Sequence, residues 1–557
     1  MSALNNTAVR LKPLATPAEW MRARRQWSPF YAFLLVGAAL VVGLILLVPA
    51  YLFLRAAGSE QATIDTLLSP RTWTVLGNTL LLAGSVTLAS TAVALPLAWL
   101  TTMTDLPGKR FWAILAALPL VLPSYVAAFV YVSILTPKGL LQQALYPLTG
   151  IERLPSPFGF PGAFLVLTLI SYPYIFLTTR AALKRMDPSL AEAARSLGAS
   201  PWSAFWRVTL PYLRPSLIAG SLLVALYVLR DFGAVTMLQY STFTRIIYNR
   251  YLAYQLDTAA TLALVLVAVT AVILTLEQRS RGKTRYARLS SGAARRQRPA
   301  RLGFWKVPAL AFVSSVVFFS LIVPAAGLAY WFWRGWNQDW AVRDLGAAQN
   351  NLETLSGLLQ PAFHSLSASL LGALLAMALA LPIAVLAVRR PGKISRFFEQ
   401  VTYASFALPG IVVALAFVFF GANYARSLYQ TLPMMLAAYV ILFIPQAVGA
   451  QRSSLLQVSP SLEEVGRSLG KRPLAIFRAI TLPLVRPGIL AGGALVFLTC
   501  MKELPATLIL SPLGFSTLAA QIWSNIGEAF FARAAAPTLL LLLLSSLPLA
   551  LLSLRDE

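Results

Sequence analysis

Twelve mostly apolar stretches divide this sequence, at 31–54, 76–100, 112–135, 162–179, 216–229, 258–276, 307–333, 366–388, 401–421, 432–450, 488–501 and 536–554. Most reach the roughly 20 residues that a helix needs to cross about 30 Å of hydrocarbon. A lipid-exposed segment finds no water for its amides and carbonyls, so it must satisfy them within itself, as a helix does. An all-α integral membrane fold of about twelve transmembrane helices follows. The composition agrees, since 58% of the residues are hydrophobic and the mean hydropathy is +0.69, far above that of a soluble protein.

The formal charge of +26 would suit nucleic acid if it were gathered on one surface. Its distribution along the chain points elsewhere. With the N-terminus placed in the cytoplasm, inside segments carry 34 Lys and Arg against 10 Asp and Glu, and outside segments carry 12 against 10. That is the positive-inside pattern of a multi-pass membrane protein, and no nucleic-acid partner is implied. Both termini then lie in the cytoplasm. Residues 1–30 read as a polar, basic tail, with Arg10, Lys12, Arg22, Arg24 and Arg25. The first span is too long for a signal peptide's apolar region and serves as an uncleaved anchor. Residues 279–306 are basic, contain Gly and Ser, and lack helical periodicity. They form a cytoplasmic linker suited to anionic lipid headgroups, between a first repeat at 31–278 and a second at 307–557.

Those halves share an internal repeat. Arg180–Leu217 aligns with Arg452–Ile489 at a constant offset of 272, with 17 identities in 38 positions and no gap. In each copy Asp187 or Ser459 is placed to cap a short helix that opens with Pro188 or Pro460. The helix carries Glu192 or Glu464 and stops at Gly198 or Gly470, a residue suited to a left-handed cap. A second short helix is expected to start at Pro201 or Pro473 and to end near Leu210-Pro211 or Leu482-Pro483. Such an elbow suits either docking into a partner's groove or lying at the interface between spans. Leu95-Pro96 and Leu381-Pro382 also match, at an offset of 286, and Pro107-Gly108-Lys109 is echoed by Pro391-Gly392-Lys393. Segments that align at shifting offsets are what duplication followed by loop insertion leaves. Six spans per half keep the halves parallel, related by a pseudo-twofold along the membrane normal, with a pathway expected between them. Prolines 119, 123, 173, 409 and 445 interrupt spans, where neighbouring helices can re-satisfy the freed carbonyls.

Glu192-Ala193-Ala194, Gly198, Val208 and Leu210-Pro211 resemble the EAA loop of ABC-importer permeases. The second copy departs at Val465 and Gly466 but keeps Glu464, Gly470, Ile480, Leu482 and Pro483. The resemblance covers essentially residues 31–554. It implies a type I importer permease fold in the bacterial inner membrane, performing no chemistry itself. In that family the loop couples to the ATP-hydrolysing subunit, so two elbows on one chain imply two ATPase subunits. ATP and Mg would be bound there, and substrate would arrive from a periplasmic or extracellular binding protein. The segments Arg230-Asp231-Phe232-Gly233-Ala234-Val235, Lys502-Glu503-Leu504-Pro505-Ala506 and Phe515-Ser516-Thr517-Leu518-Ala519 resemble ferric-iron permeases of the fused two-domain type. Thiamine, polyamine and other small-solute permeases belong to the same superfamily.

Two apolar segments are unusually short. Ser216–Leu229 precedes Arg230-Asp231, and Gly488–Met501 precedes Lys502-Glu503. Fourteen residues at 1.5 Å each cover about 21 Å, less than the bilayer. The helices should end early or hold these charges below the surface, with breaks at Gly233 and Pro505. Ionisable residues at one repeat position in both halves are candidates for a pathway or gate. Asp231 and Glu503 could contact a hard cation transiently, since such ions favour oxygen ligands. Alternatively, Arg230 and Lys502 neutralise them as local ion pairs.

Other chemistries find little support in the residue inventory. One cysteine, Cys500, and one histidine, His364, exclude an intrachain disulfide and a His/Cys metal cage. Gly282-Lys283-Thr284 imitates the end of a phosphate-binding loop, but Glu277 stands where that loop needs glycine. An ion-gradient-driven secondary transporter would explain the repeat and the intramembrane charges but not the paired elbows. A membrane enzyme would need a catalytic constellation that the sequence lacks.

The topology is open to direct test. In a Cys500→Ala background, Arg295→Cys should resist a membrane-impermeant thiol reagent in intact cells and Asp339→Cys should react. The opposite labelling pattern would invert the chain in the membrane.

Overall fold

The computed structural model describes residues 29–186, 194, 196–198, 200–280, 299–337 and 356–553. Each of the twelve apolar stretches contains a helix. In the first half these are α1 (Pro29–Ala57), α2 (Pro70–Met103), α3 (Ser124–Leu135), α4 (Phe160–Arg185), α5 (Phe205–Arg230) and α6 (Leu256–Ser280). In the second they are α7 (Gly303–Asn337), α8 (Leu359–Arg389), α9 (Gly410–Tyr424), α10 (Leu432–Gln457), α11 (Pro473–Met501) and α12 (Phe531–Ser553). Among the described residues, ten helices are long and apolar enough to cross a membrane, or eleven when one bent pair counts as a span.

The bent pair lies at the proline expected to interrupt the stretch 401–421, and the interruption is a sharp corner. Helices Lys393–Ala407 and Gly410–Tyr424 meet at 105°. Leu408, held extended by the proline that follows it, and Pro409, which caps α9, make the corner. The same device breaks the first-half stretch 112–135 into Lys109–Leu115, a 3-10 turn at Leu118–Val121 and α3, with Leu122 extended before Pro123.

A correction concerns the two short spans. The helix that follows each elbow does not stop at Leu-Pro. It runs on as α5 and α11, of 26 and 29 residues, both long enough to cross. The join is a π turn, Phe205–Thr209 in one repeat and Phe477–Thr481 in the other. In each, the Leu210 or Leu482 amide donates to the carbonyl five residues back, just before the proline. Proline has no N–H and its ring collides with the carbonyl four residues earlier. A widened turn relieves both problems without ending the helix.

Within each repeat three helices form the core: α2, α4 and α5 in the first, and α8, α10 and α11 in the second. The first helix of each repeat crosses over. α1 packs along α8, α9 and the Lys393–Ala404 helix of the second repeat, and α7 packs along α3 and the Lys109–Leu115 helix of the first. α1 therefore shares a core with Ala376, Ile383 and Val413, while Val313 and Val317 of α7 share one with Leu97 and Ala128. Trp331 on α7 donates its indole N–H to Ser133 on α3 at 2.9 Å. Near the start of α7, Asp105 accepts the Leu302 amide at 2.9 Å and meets Lys306 at 2.9 Å, ties that hold its carboxyl below the usual carboxylate range. α6 extends past the expected boundary at 278 to Ser280, and linker residues 281–298 lie outside the described residues.

Close packing inside each core uses a glycine at the same place in both repeats. A Cβ on Gly220 of α5 would stand 2.5 Å from Thr178 Oγ1 and 2.9 Å from Ile175 Cα, and a Cβ on Gly492 of α11 would stand 2.5 Å from Ala450 Cβ. The two positions are equivalent at the 272 offset. Gly220→Leu or Gly492→Leu should cost about 1–3 kcal/mol through overpacking, read as a lowered midpoint of thermal unfolding in detergent. Gly77→Leu, whose added Cβ would meet nothing within 4 Å, is the control. Equal midpoints for all three would show that neither approach is tight.

Candidate functional site

The second elbow is the better described. Pro460–Ser468 forms its helix, and the Ser459 hydroxyl caps it by accepting the Ser461 amide at 3.4 Å. Gly470 follows at φ +78, and Gly198 of the first elbow stands at φ +87, the left-handed cap expected of both. Glu464 and Pro483 are exposed, and Leu482 is marginally so. Leu462, Val465 and Leu469, spaced to share one face of the helix, are exposed as well. Gly466 sits against Ile476 and Ile480, where a Cβ would come within 3.1 Å of both side chains. In the first elbow Gly198 is exposed, and Ala194, Leu210 and Pro211 are half-buried. Glu192, Ala193 and the Asp187 cap lie outside the described residues.

The neighbour of the expected glutamate does the structural work. Glu463 is 6% exposed. Its Oε1 accepts from Arg389 Nε at 2.9 Å and from Thr481 Oγ1 at 2.9 Å. Sequence reasoning passed over Glu463 because the first copy has Ala191 there. That difference between otherwise matching repeats was the available signal.

The intramembrane charges sit where two helices break. α5 ends at Arg230, and a short helix, Gly233–Met237, starts two residues beyond Asp231. Asp231 is 7% exposed. Its Oδ1 accepts the amides of Ala234 and Val235 at 3.0 and 3.2 Å, and Ser124 at the start of α3 lies within hydrogen-bonding reach. Thr244 donates to the Asp231 carbonyl at 2.6 Å. In the second repeat Glu503 Oε1 accepts the Ala506 amide at 3.2 Å, at the start of Pro505–Leu510. Thr507 donates to the Glu503 carbonyl at 2.8 Å. Each carboxylate thus satisfies amides that the chain break leaves open, which is costly to omit in a low-dielectric interior.

The basic partners turn away from their sequence neighbours. Among the described residues, no ion pair within 4.0 Å joins Arg230 to Asp231 or Lys502 to Glu503. Lys502 Nζ instead donates to the Leu120 carbonyl of the first repeat at 3.0 Å. Arg230 lies within electrostatic reach of Glu503 in the second repeat. Phe232 packs on Trp523 with ring centroids 5.1 Å apart. Arg230, Lys502 and Glu503 therefore tie the two repeats together at depth, while Asp231 keeps its bonds within the first repeat. Among the described residues, no group of three or more His, Cys, Asp or Glu side chains is placed to hold a metal ion. His364 stacks on Phe515 at 4.2 Å and makes a 3.0 Å hydrogen bond with the Ser516 carbonyl through Nδ1.

The two breaks also compensate for each other's side chains. Ser124 and Gly410 both follow a proline that opens its helix. A Cβ on Gly410 would run into Glu503 Oε1 and stand 3.4 Å from Pro505. A Cβ on Gly233 would stand 2.7 Å from Tyr125 Cβ and 3.0 Å from Ser124 Oγ. One repeat combines the shorter Asp231 with Ser124 and Gly233. The other combines the longer Glu503 with Gly410 and Pro505.

The family model for binding-protein-dependent transport system inner membrane components matches residues 22–279 and 368–555, so each match includes one elbow and one break. The Fe(3+)-transport system permease protein FbpB 2 of Haemophilus influenzae is 35% identical over 528 residues, 94% of this chain and 98% of its own length. The ferric transport system permease protein FbpB of Actinobacillus pleuropneumoniae is 26% identical over 457 residues, 78% of this chain and 64% of its own. The molybdenum transport system permease protein ModB of Escherichia coli is 35% identical over 137 residues, 25% of this chain and 58% of its own.

The compensation at the breaks predicts a rescue. Gly410→Ser should displace the Glu503 carboxylate and cost about 1–3 kcal/mol, the usual range for overpacking. Adding Glu503→Asp should recreate the first repeat's combination and recover at least half of that loss in thermal unfolding. A double variant no more stable than the two single effects added together would show that the two sites are not coupled.

Proposed function

Because the chain belongs to the family of binding-protein-dependent transport system inner membrane components, we propose that it is the transmembrane permease subunit of an ATP-driven, binding-protein-dependent importer for ferric iron. The observation that carries the substrate is the Fe(3+)-transport relative, which aligns over nearly the whole of both chains. Thiamine, polyamine and other small solutes are the alternatives within the superfamily, and the molybdenum relative matches only a quarter of this chain.

In this reading the protein sits in a bacterial inner membrane with both termini and both elbows in the cytoplasm. Two separate ATPase subunits bind ATP and Mg, one beneath each elbow, and this chain binds no cofactor. The exposed apolar face of Leu462, Val465 and Leu469 beside Glu464 supports a docking role for the second elbow. On the far side a substrate-binding protein delivers the ion. ATP binding shifts the equilibrium between outward-facing and inward-facing states only by its different contacts with the elbows in each. The second arm of each elbow is one continuous helix with α5 or α11, so movement of that arm reaches Arg230-Asp231 or Lys502-Glu503. The breaks act as a gate: their charges link the repeats, and their carboxylates are occupied by backbone amides. An ion relay through Asp231 and Glu503 would first have to free those carboxylates.

Reconstitution tests this directly. Proteoliposomes holding the permease, its ATPase subunits and the loaded binding protein should accumulate ferric iron with ATP and should ignore molybdate. Glu192→Ala combined with Glu464→Ala should remove the stimulation of ATPase activity by loaded binding protein while the chain still inserts. Uptake driven by an ion gradient without ATP would point to a secondary transporter. Full coupling in a stably assembled double variant would release the elbows from the role given to them.

A further inference from the structure

The second elbow has an anchor whose charged pair the first repeat's sequence does not carry. Glu463 connects three elements of the second repeat: its own elbow helix, the end of α8 through Arg389, and the π turn of α11 through Thr481. Arg389 adds a bond to the Val458 carbonyl at 3.2 Å, just before the elbow, and Arg467 approaches the other carboxylate oxygen at 3.7 Å. The Arg389 and Glu463 side chains are only 9% and 8% exposed. The start of α1 closes the site from the side. Phe30 packs on Phe477 with centroids 5.8 Å apart, and the Arg390 guanidinium lies 4.4 Å over the Tyr31 ring.

The first repeat keeps one part of this arrangement. Thr209 stands at the position of Thr481 and is likewise buried. Ala191 replaces Glu463, so that position carries no carboxylate. The stretch equivalent to the end of α8, at offsets of 286 to 284, is Met103-Thr104-Asp105, which has no basic residue. Its one charge, Asp105, binds Leu302 and Lys306 at the start of α7 instead. The ends of α2 and α8 thus both hold the incoming first helix of the other repeat, and Trp99 of α2 packs edge-on against Phe205 of the first elbow's π turn at 6.5 Å, but only α8 brings a basic residue to the position of Arg389.

We propose that the buried Arg389–Glu463 pair, seated on Thr481, is a rigid joint that carries movement of the second elbow into α8, and that the two docking points are therefore mechanically unequal. The proposal rests on the importer reading above. Burying an ion pair gives little net stability compared with well-packed apolar residues of similar volume, so its contribution here is positional. An elbow held only through α11 can tilt about the π turn. An elbow held to both α8 and α11 moves both helices together, and α8 is the helix on which α1, α10 and α11 all pack.

The test is a double-mutant cycle in the complete complex, reconstituted with ATPase subunits and binding protein. Arg389→Met, Glu463→Met and their combination are compared by the ratio of ATPase activity with loaded binding protein to activity without it. Each single variant leaves a buried group without its partner and should lose thermal stability. The combination should regain that stability while its coupling ratio stays reduced by at least about fivefold, the lower end of the usual coupling between two sites. A double variant with the wild-type ratio would make the pair a packing element only and overturn the joint. If the double variant fails to accumulate, Glu463→Gln, which keeps the acceptor oxygen and removes the charge, decides the same question: a lowered ratio supports the joint and an unchanged one overturns it. A wild-type complex without stimulation would instead overturn the importer reading.

Discussion

The bilayer's refusal to solvate an open backbone governs this structure more than any single contact. A helix can break inside hydrocarbon only if something else satisfies the amides and carbonyls that the break exposes. Asp231 and Glu503 are that something. Each lies just past the end of a span and accepts amides of the next short helix. Their charge is useful because a carboxylate is a stronger acceptor than a neutral side chain. The same reasoning explains the threonines, since Thr244 and Thr507 each donate to the backbone carbonyl of one of these acids. A break furnished in this way becomes a fixed feature, and it places Arg230 and Lys502 where the repeats meet.

Exchange of the first helices makes the halves one body. A repeat that buried only its own helices could slide against its partner, because lipid-facing surfaces provide no hydrophobic drive for association. With α1 lodged on the second repeat and α7 on the first, separation would strip helices out of both cores. Relative motion is then confined to tilting about the shared interface. Small residues such as Gly220 and Gly492 let backbones approach closely, so a tilt is transmitted and not absorbed.

Much of the architecture was legible in the sequence because its signals are local. Span length, the caps at Ser459 and Gly470, and the helix starts at Pro460 and Pro473 are read from a few adjacent residues. The breaks near Gly233 and Pro505 were legible for the same reason, as charges that follow a short apolar run. Three features were not. The π turns arise from competition between a proline and the helix on both sides of it, and Leu-Pro alone reads as a stop. The corner at Leu408-Pro409 was marked by its proline, but proline is tolerated within membrane helices and does not by itself set the size of the bend. Helix exchange leaves no local trace, because α1 is apolar on whichever neighbour it packs. The importance of Glu463 was hidden by its exposed neighbour Glu464, which carries the resemblance between the copies.

The repeats have diverged under two different rules. At the breaks, change on one side is matched by change on the other. Asp231 with Ser124 and Gly233 fills much the same space as Glu503 with Gly410 and Pro505, because the core near the pseudo-twofold tolerates neither a void nor a clash. At the elbows the divergence is unmatched. Ala191 replaces Glu463, and Asp105 is committed to the start of α7. Packing constrains the first place from within the chain, so it conserves volume while exchanging residues. A surface that faces a partner is constrained by that partner, and two elbows on one chain are free to differ once the body between them moves as a unit. Pseudo-symmetry in such a protein is therefore strict where the halves touch each other and loose where each meets something else.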